Sequence, residues 1–220
     1  MNEMKGKLAL DDESCGRYHT GQLPENIGLV FPKLEYLNAF LGDIPASLGN
    51  MSALSILHLS NNTFSGEIPT QLLTECVSLS YLILSYNSIS GQIFPRHINL
   101  SNLYELMLDN NHFNGTLQGW VGNLSGSNFE GEIPEELCKL DLQFIDLSDN
   151  QFSGSIPPCF TMTNLRFLHL QKNRLVGSIP KALLRSPELT TLDLGGNKFS
   201  GRIPKFISGL EIIYLKRLNI

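Results

Sequence analysis

The sequence predicts an α/β-type solenoid: short coils stacked one on the next, each laying one strand of a parallel sheet on a concave face. Two recurring phrases predict it. Gly-x-Ile-Pro starts at Gly42, Gly66, Gly131, Gly154, Gly177 and Gly201. Leu-x-x-Leu-x-Leu-x-x-Asn, with Ile145 for one leucine, ends at Asn62, Asn87, Asn111, Asn150, Asn173 and Asn197. The asparagines step by 25, 24, 39, 23 and 24 residues, and self-similarity at such a period is the mark of a repeat array.

Each position of the repeat has a physical task. Leu-x-Leu alternation makes a short strand with two side chains on one face. A lone strand cannot hide them, whereas stacked neighbours can, so the strands form one parallel sheet. The asparagine amide carries both donors and acceptors and is suited to satisfy backbone groups of adjacent turns as an internal ladder. The next apolar residue (Phe64, Ile89, Phe113, Phe152, Leu175 or Phe199) is placed to stack as a spine. Glycine then permits positive φ or close backbone approach. Proline starts the convex return segment, where the first position of a helix suits it.

Composition narrows the function. The 220 residues are 42% hydrophobic and 17% charged, so a core is affordable in sequence terms while the net charge is only −5. That mild acidity argues against nucleic acid as a partner, since phosphate binding needs a dense basic surface. No stretch approaches the ~20 apolar residues of a membrane span, and the first residues do not read as a signal peptide.

Function is expected on the outward strand positions that the repeat leaves free. The candidates for a ligand-binding concave face are His58, Tyr81, Ile83, Tyr86, Tyr104, Met107, Asp109, Phe144, Asp146, Arg166, His169 and Asp193. The exposed aromatic and methionine strip Tyr81, Tyr86, Tyr104, Met107 and Phe144 has the composition of a protein-binding patch. The alternative is that Tyr81, Tyr104, Phe144 and Phe167 pack on neighbouring coils at the sheet edge. No nucleophile is implied beside Asp109 and His112, and His58 and His169 lie several repeats apart, too far to share a metal. Neither a catalytic residue, a metal nor a cofactor is expected.

The combined phrase L-x-x-L-x-L-x-x-N-x-F-x-G-x-I-P resembles the plant-type leucine-rich repeat over about residues 21 to 215. Pro-Glu-Glu-Leu-Cys-Lys-Leu (134–140), Gly-Ser-Ile-Pro-Pro-Cys-Phe (154–160) and Leu-Gln-Lys-Asn-Arg-Leu-Val-Gly-Ser-Ile-Pro (170–180) resemble the wording of plant receptor-like protein ectodomains. The resemblance implies a right-handed superhelix with irregular or 3-10 convex segments. It implies a module on the extracellular side of the plasma membrane that binds a protein or peptide ligand, works with a co-receptor kinase and signals, as in defence. The rival reading is a secreted leucine-rich-repeat inhibitor of cell-wall-degrading enzymes. A third is a truncated product without a function of its own.

The pattern breaks in two places. Residues 34–45 lack the second half of the strand phrase, as if about four residues were lost. Residues 115–134 join the end of one repeat to the convex segment of another, and the 39-residue step falls about nine short of two repeats, or a whole repeat more short of three. A disturbed sheet near Trp120 is the expectation there. Residues 1–20 read as an atypical lead-in without a paired-cysteine cap, Cys15 standing alone, and 216–220 as a truncated end.

Cys138 and Cys159 lie one repeat apart, each just after an Ile-Pro, and either a disulfide or two buried free thiols fits them. Cys76 reads as a small apolar core residue. Asn-x-Ser/Thr triplets at Asn50, Asn61, Asn99, Asn114 and Asn123 suit a secreted glycoprotein, although an Asn- and Ser-rich repeat makes them by composition alone. Asn50, Asn99 and Asn123 fall just before strands, on the convex side, while a glycan on Asn61 would block the concave edge.

Overall fold

The computed structural model describes residues 7–9, 23–30, 36–38, 41–93, 98–114, 131–160, 164–181, 183, 186–201 and 212–214. Among them, nine parallel strands form one sheet in chain order. They are β1 (Lys7–Ala9), β2 (Tyr36–Asn38), β3 (Ile56–His58), β4 (Tyr81–Ile83), β5 (Glu105–Met107), β6 (Phe144–Asp146), β7 (Phe167–His169), β8 (Thr191–Asp193) and β9 (Ile212–Tyr214). The solenoid predicted from the period is the fold observed.

The register explains the core. Leu57, Leu82, Leu106, Ile145, Leu168 and Leu192 are direct cross-strand partners, and all are buried. The residues flanking each of them on the strand are only half-buried, so one side of the sheet packs and the other looks outward. Leu59, Leu84, Leu108, Leu147, Leu170 and Leu194 extend the packed layer, and the spine Phe64, Ile89, Phe113, Phe152, Leu175 and Phe199 closes it. Burying one such side chain contributes about 1.5–3 kcal/mol, which is the main cohesion between coils.

The asparagines supply the polar half of the stacking. The Phe113 N–H donates to Asn150 Oδ1 at 3.0 Å, and Asn150 Nδ2 donates back to Leu108 O at 2.9 Å. Asn87, Asn111, Asn173 and Asn197 each repeat this pair of bonds to the preceding coil. Each amide thus satisfies a spine N–H that would otherwise be orphaned in the interior, and shares a strand-end carbonyl with the asparagine of the preceding coil.

On the convex side Ala46–Asn50 and Glu135–Lys139 are 3-10 helices, as the resemblance implies, but Thr70–Glu75 is an α-helix. Proline also sits one place earlier than expected. Pro45, Pro69 and Pro134 are cap residues with ψ of 134, 132 and 139°, outside the helix. Their extended backbone turns the chain, and their carbonyls accept the Leu48, Leu72 and Leu137 N–H groups. Cys138, on the second 3-10 helix, is disulfide-bonded to Cys159 of the next coil, with Cα atoms 5.8 Å apart. Cys76 is a free, buried thiol that donates to Met51 O at 3.4 Å, and its burial pushes the pKa up to about 11.

The second break turns out differently from the expectation. The sheet is not disturbed at the 39-residue step: β5 pairs directly with β6, Leu106 opposite Ile145, and the Asn150 ladder bonds cross the step unaltered. The reason lies in Gly131. It has φ +95°, and a Cβ added there would meet Asn114 O at 2.5 Å. Its carbonyl accepts the Ser153 N–H while the Phe113 carbonyl accepts the Gln151 N–H. Gly131 therefore occupies the place next to Asn114 that a neighbouring residue holds in the other coils. The step is one coil carrying an insertion, not two shortened repeats. Trp120 and Asn123 fall within 115–130, outside the described residues.

At the first break, Tyr36 pairs with Ile56 and Leu41 with Thr63, offsets of 20 and 22 residues. The strand offset of 20, against 23 to 25 from β3 to β5 and from β6 to β8, makes that coil about four residues short, as expected, and it still closes. At the ends, β1 adds a strand from the segment expected to be an atypical lead-in. Cys15 and residues 215–220 lie outside the described residues.

Candidate functional site

The concave face is built from rows that run across the strands. One row places Ile56, Tyr81, Glu105, Phe144, Phe167 and Thr191 in register, and the next His58, Ile83, Met107, Asp146, His169 and Asp193. Strand alternation dictates this: with the leucine between them inward, both flanking residues must face out. The structure brings eleven of the twelve candidates onto these rows or their immediate rims, and Arg166 stands exposed one residue ahead of β7.

The aromatic residues meet one another. Tyr104 precedes β5 by one residue, and its ring is 5.7 Å from that of Tyr81 and 5.4 Å from that of Phe144, which lies 6.1 Å from Phe167. All the planes are tilted by 39 to 52°, between stacked and edge-to-face, within the centroid range of favourable aromatic pairs. The two readings of these residues therefore coincide: they pack on neighbouring coils and also line the face, half-buried. Glu105 is registered between Tyr81 and Phe144, and its burial raises the carboxyl above the usual carboxylate range.

The polar residues of the central row have assigned tasks. Asp146 Oδ1 accepts the Ser148 N–H at 2.9 Å, and its Oδ2 lies 3.1 Å from His169 Nδ1. The His169 ring in turn lies 4.1 Å from Phe167. Asp193 Oδ1 accepts the Gly195 N–H at 2.9 Å. Beyond the strands, Asp109 is held by the Ser85 hydroxyl and by Asn110 Nδ2. Lys172 Nζ is 2.9 Å from Asp149, whose hydrogen bond and charge hold the ammonium above its usual pKa.

Sequence reading missed one feature of this rim. Asn61, Tyr86, Asn110, Asp149, Lys172 and Gly196 all have positive φ, between 50 and 70°. The backbone must turn left-handed where each strand ends, and Asn, Asp and Gly tolerate this readily. Asn61, Asn110, Asp149 and Gly196 carried that signal. Tyr86 did not: it is 55% exposed with φ 57°, a bulky residue in a conformation that costs about 1–3 kcal/mol.

Of the sequon asparagines, Asn50 and Asn99 are exposed, on the convex side and just before a strand respectively, and Asn114 is half-buried. No three His, Cys, Asp or Glu residues among those described stand together as a metal site.

Known proteins share the sequence and the shape. The family model for the leucine-rich repeat matches residues 53–74, 141–162, 164–185 and 188–210. Receptor-like protein 39 of Arabidopsis thaliana is 36% identical over 223 aligned positions, covering 94% of this chain and 25% of that protein. The chain spans about a quarter or less of the curated relatives first matched. The crystal structure of PEPR1-AtPEP1 superposes with TM-score 0.76 at 32% identity over 88% of this chain and 26% of that one. That of the Arabidopsis receptor kinase HAESA, in complex with the peptide hormone IDA and the co-receptor SERK1, gives 0.63 at 38% over 87% and 34%. The stacked register, the asparagine ladder and these likenesses together make the described stack a leucine-rich-repeat solenoid, similar in sequence to plant receptor-like proteins.

Proposed function

We propose that this chain is a non-catalytic recognition module of a plant receptor-like protein, binding a protein or peptide on its concave face outside the cell and signalling through a partner kinase. The observation that carries this reading is the continuous, half-buried aromatic row Tyr81–Tyr104–Phe144–Phe167 beside the Ile83 and Met107 side chains. Partly apolar surface that the core does not need is the raw material of an interface, and Tyr and Met are enriched there. Two further facts support it. The Cys138–Cys159 disulfide suits an oxidising compartment. The HAESA structure, similar over most of this chain, is a complex with a peptide hormone and a co-receptor. Among the described residues no helix is long and apolar enough to cross a membrane.

The test is capture of polypeptides from plant extracellular fluid by the chain and by its Tyr81→Ala/Tyr104→Ala/Met107→Ala variant, at matched thermal stability. The proposal expects at least a tenfold loss of captured partners. An unchanged partner set would remove the concave face from the account.

A further inference from the structure

The central row changes character along the solenoid, and that gradient specifies an occupant. Ile83 and Met107 are apolar, half-buried neighbours in register, with the exposed Tyr86 on their rim. From β6 onward the row is Asp146, His169 and Asp193. The charges there are not equally available. Asp146 is engaged at both oxygens, by the Ser148 N–H and by His169. Asp149 is engaged by Lys172 and Asp109 by Ser85 and Asn110. Asp193 has only Oδ1 engaged, by the Gly195 N–H, and Oδ2 accepts no hydrogen bond from a described residue. Arg166 stands exposed one residue ahead of β7, on the aromatic side, and the exposed Lys172, whose ammonium also feels the Asp193 charge, is hydrogen-bonded to Asp149 instead.

We propose that the face takes an extended peptide segment bearing a large apolar side chain and, about four residues away, a lysine or arginine. The apolar group covers Ile83 and Met107 against Tyr86, and the cation meets Asp193. The spacing follows from the register. Met107, Asp146, His169 and Asp193 occupy successive strands. Three strand spacings of ~4.8 Å make ~14 Å, which an extended chain rising ~3.3 Å per residue covers in about four residues. A carboxylate left half-satisfied on a partly desolvated face gains more from a cation than one already hydrogen-bonded at both oxygens. This inference rests on the concave-face reading and refines it.

The experiment is selection of a random 12-residue displayed peptide library on the full chain, followed by affinities of the selected peptides for three variants. Asp193→Asn keeps an Oδ1 for the Gly195 N–H while removing the charge, so folding is spared; equal thermal midpoints verify that. Enriched peptides are expected to carry Lys or Arg about four positions from Leu, Ile, Met or an aromatic residue. They should bind Asp193→Asn at least tenfold more weakly, with a shallower salt dependence, and bind Asp146→Asn within threefold of the parent. Selected peptides lacking the basic residue, or bound equally by Asp193→Asn, would overturn the inference. If those same peptides are lost on Tyr104→Ala/Met107→Ala, the concave-face reading survives that failure. Binding indifferent to every one of these changes, or no enrichment at all, would overturn both.

Discussion

At the scale of single residues the asparagine ladder is the most exposed to test. Asn150 serves two buried backbone groups from another coil, the Phe113 N–H and the Leu108 carbonyl. Asn150→Ala leaves the Phe113 N–H without a partner, while the Leu108 carbonyl keeps the Asn111 Nδ2 bond at 3.2 Å. At about 1–3 kcal/mol for one unsatisfied buried group, that is the expected cost, read as a shift of the urea midpoint at constant slope. Glu105 tests burial on the concave face. Its carboxyl is raised in the folded chain because burial disfavours the charge. A folded pKa above the unfolded one means the native state holds the proton longer, so this residue lowers stability as pH rises through that interval. Below the unfolded pKa the penalty is absent, and above the folded pKa it is complete. Glu105→Gln should therefore gain stability relative to the parent at pH 7 and lose that advantage near pH 3.5, measured by denaturant unfolding at both.

Elements show why some of the chain was legible and some was not. The strands, the ladder and the spine follow from side-chain chemistry at fixed spacing, so Leu57, Asn87 and Phe113 could be placed from the period alone. The proline caps were off by one position because the carbonyl of Pro45, acting on Leu48 N–H, does the work, and a carbonyl leaves no trace in composition. The left-handed rim was half visible, in Asn61, Asn110, Asp149 and Gly196, and hidden at Tyr86 and Lys172, which such a backbone disfavours. The 39-residue step was misread because counting residues cannot tell a missing coil from an added loop; hydrogen bonds can. Excising residues 115–130 would join Asn114 to Gly131 and spell Phe-Asn-Gly-Glu-Ile-Pro, and the step would become 23, as in the following coil. The shortened chain should keep one cooperative unfolding transition with a midpoint within about 3 °C of the parent by circular dichroism. A fall of more than 10 °C would mean that the inserted residues are part of the core after all.

For the whole molecule, stacking divides labour between inside and outside. The inward positions are committed to leucine, phenylalanine and asparagine by packing and hydrogen bonding, so they carry little information about a partner. The outward rows carry all of it, and there the sequence named the residues without showing how they are joined. It could not reveal that Tyr104, out of line with Tyr81 and Phe144, nonetheless bridges their rings, since that depends on side-chain reach and not on register. Nor could it show which carboxylates are already engaged, because Asp146 and Asp193 occupy the same repeat position with different neighbours. A quasi-linear stack presents such a face as a continuous strip, suited to many shallow contacts with an extended partner.

The central claim is that this strip is where a partner sits. A photoreactive copy of a peptide selected on the chain, crosslinked and mapped by mass spectrometry, tests it most directly. The account predicts adducts on Tyr81, Tyr86, Tyr104, Met107 or His169. Adducts confined to the convex helices at Ala46–Asn50, Thr70–Glu75 and Glu135–Lys139 would contradict it.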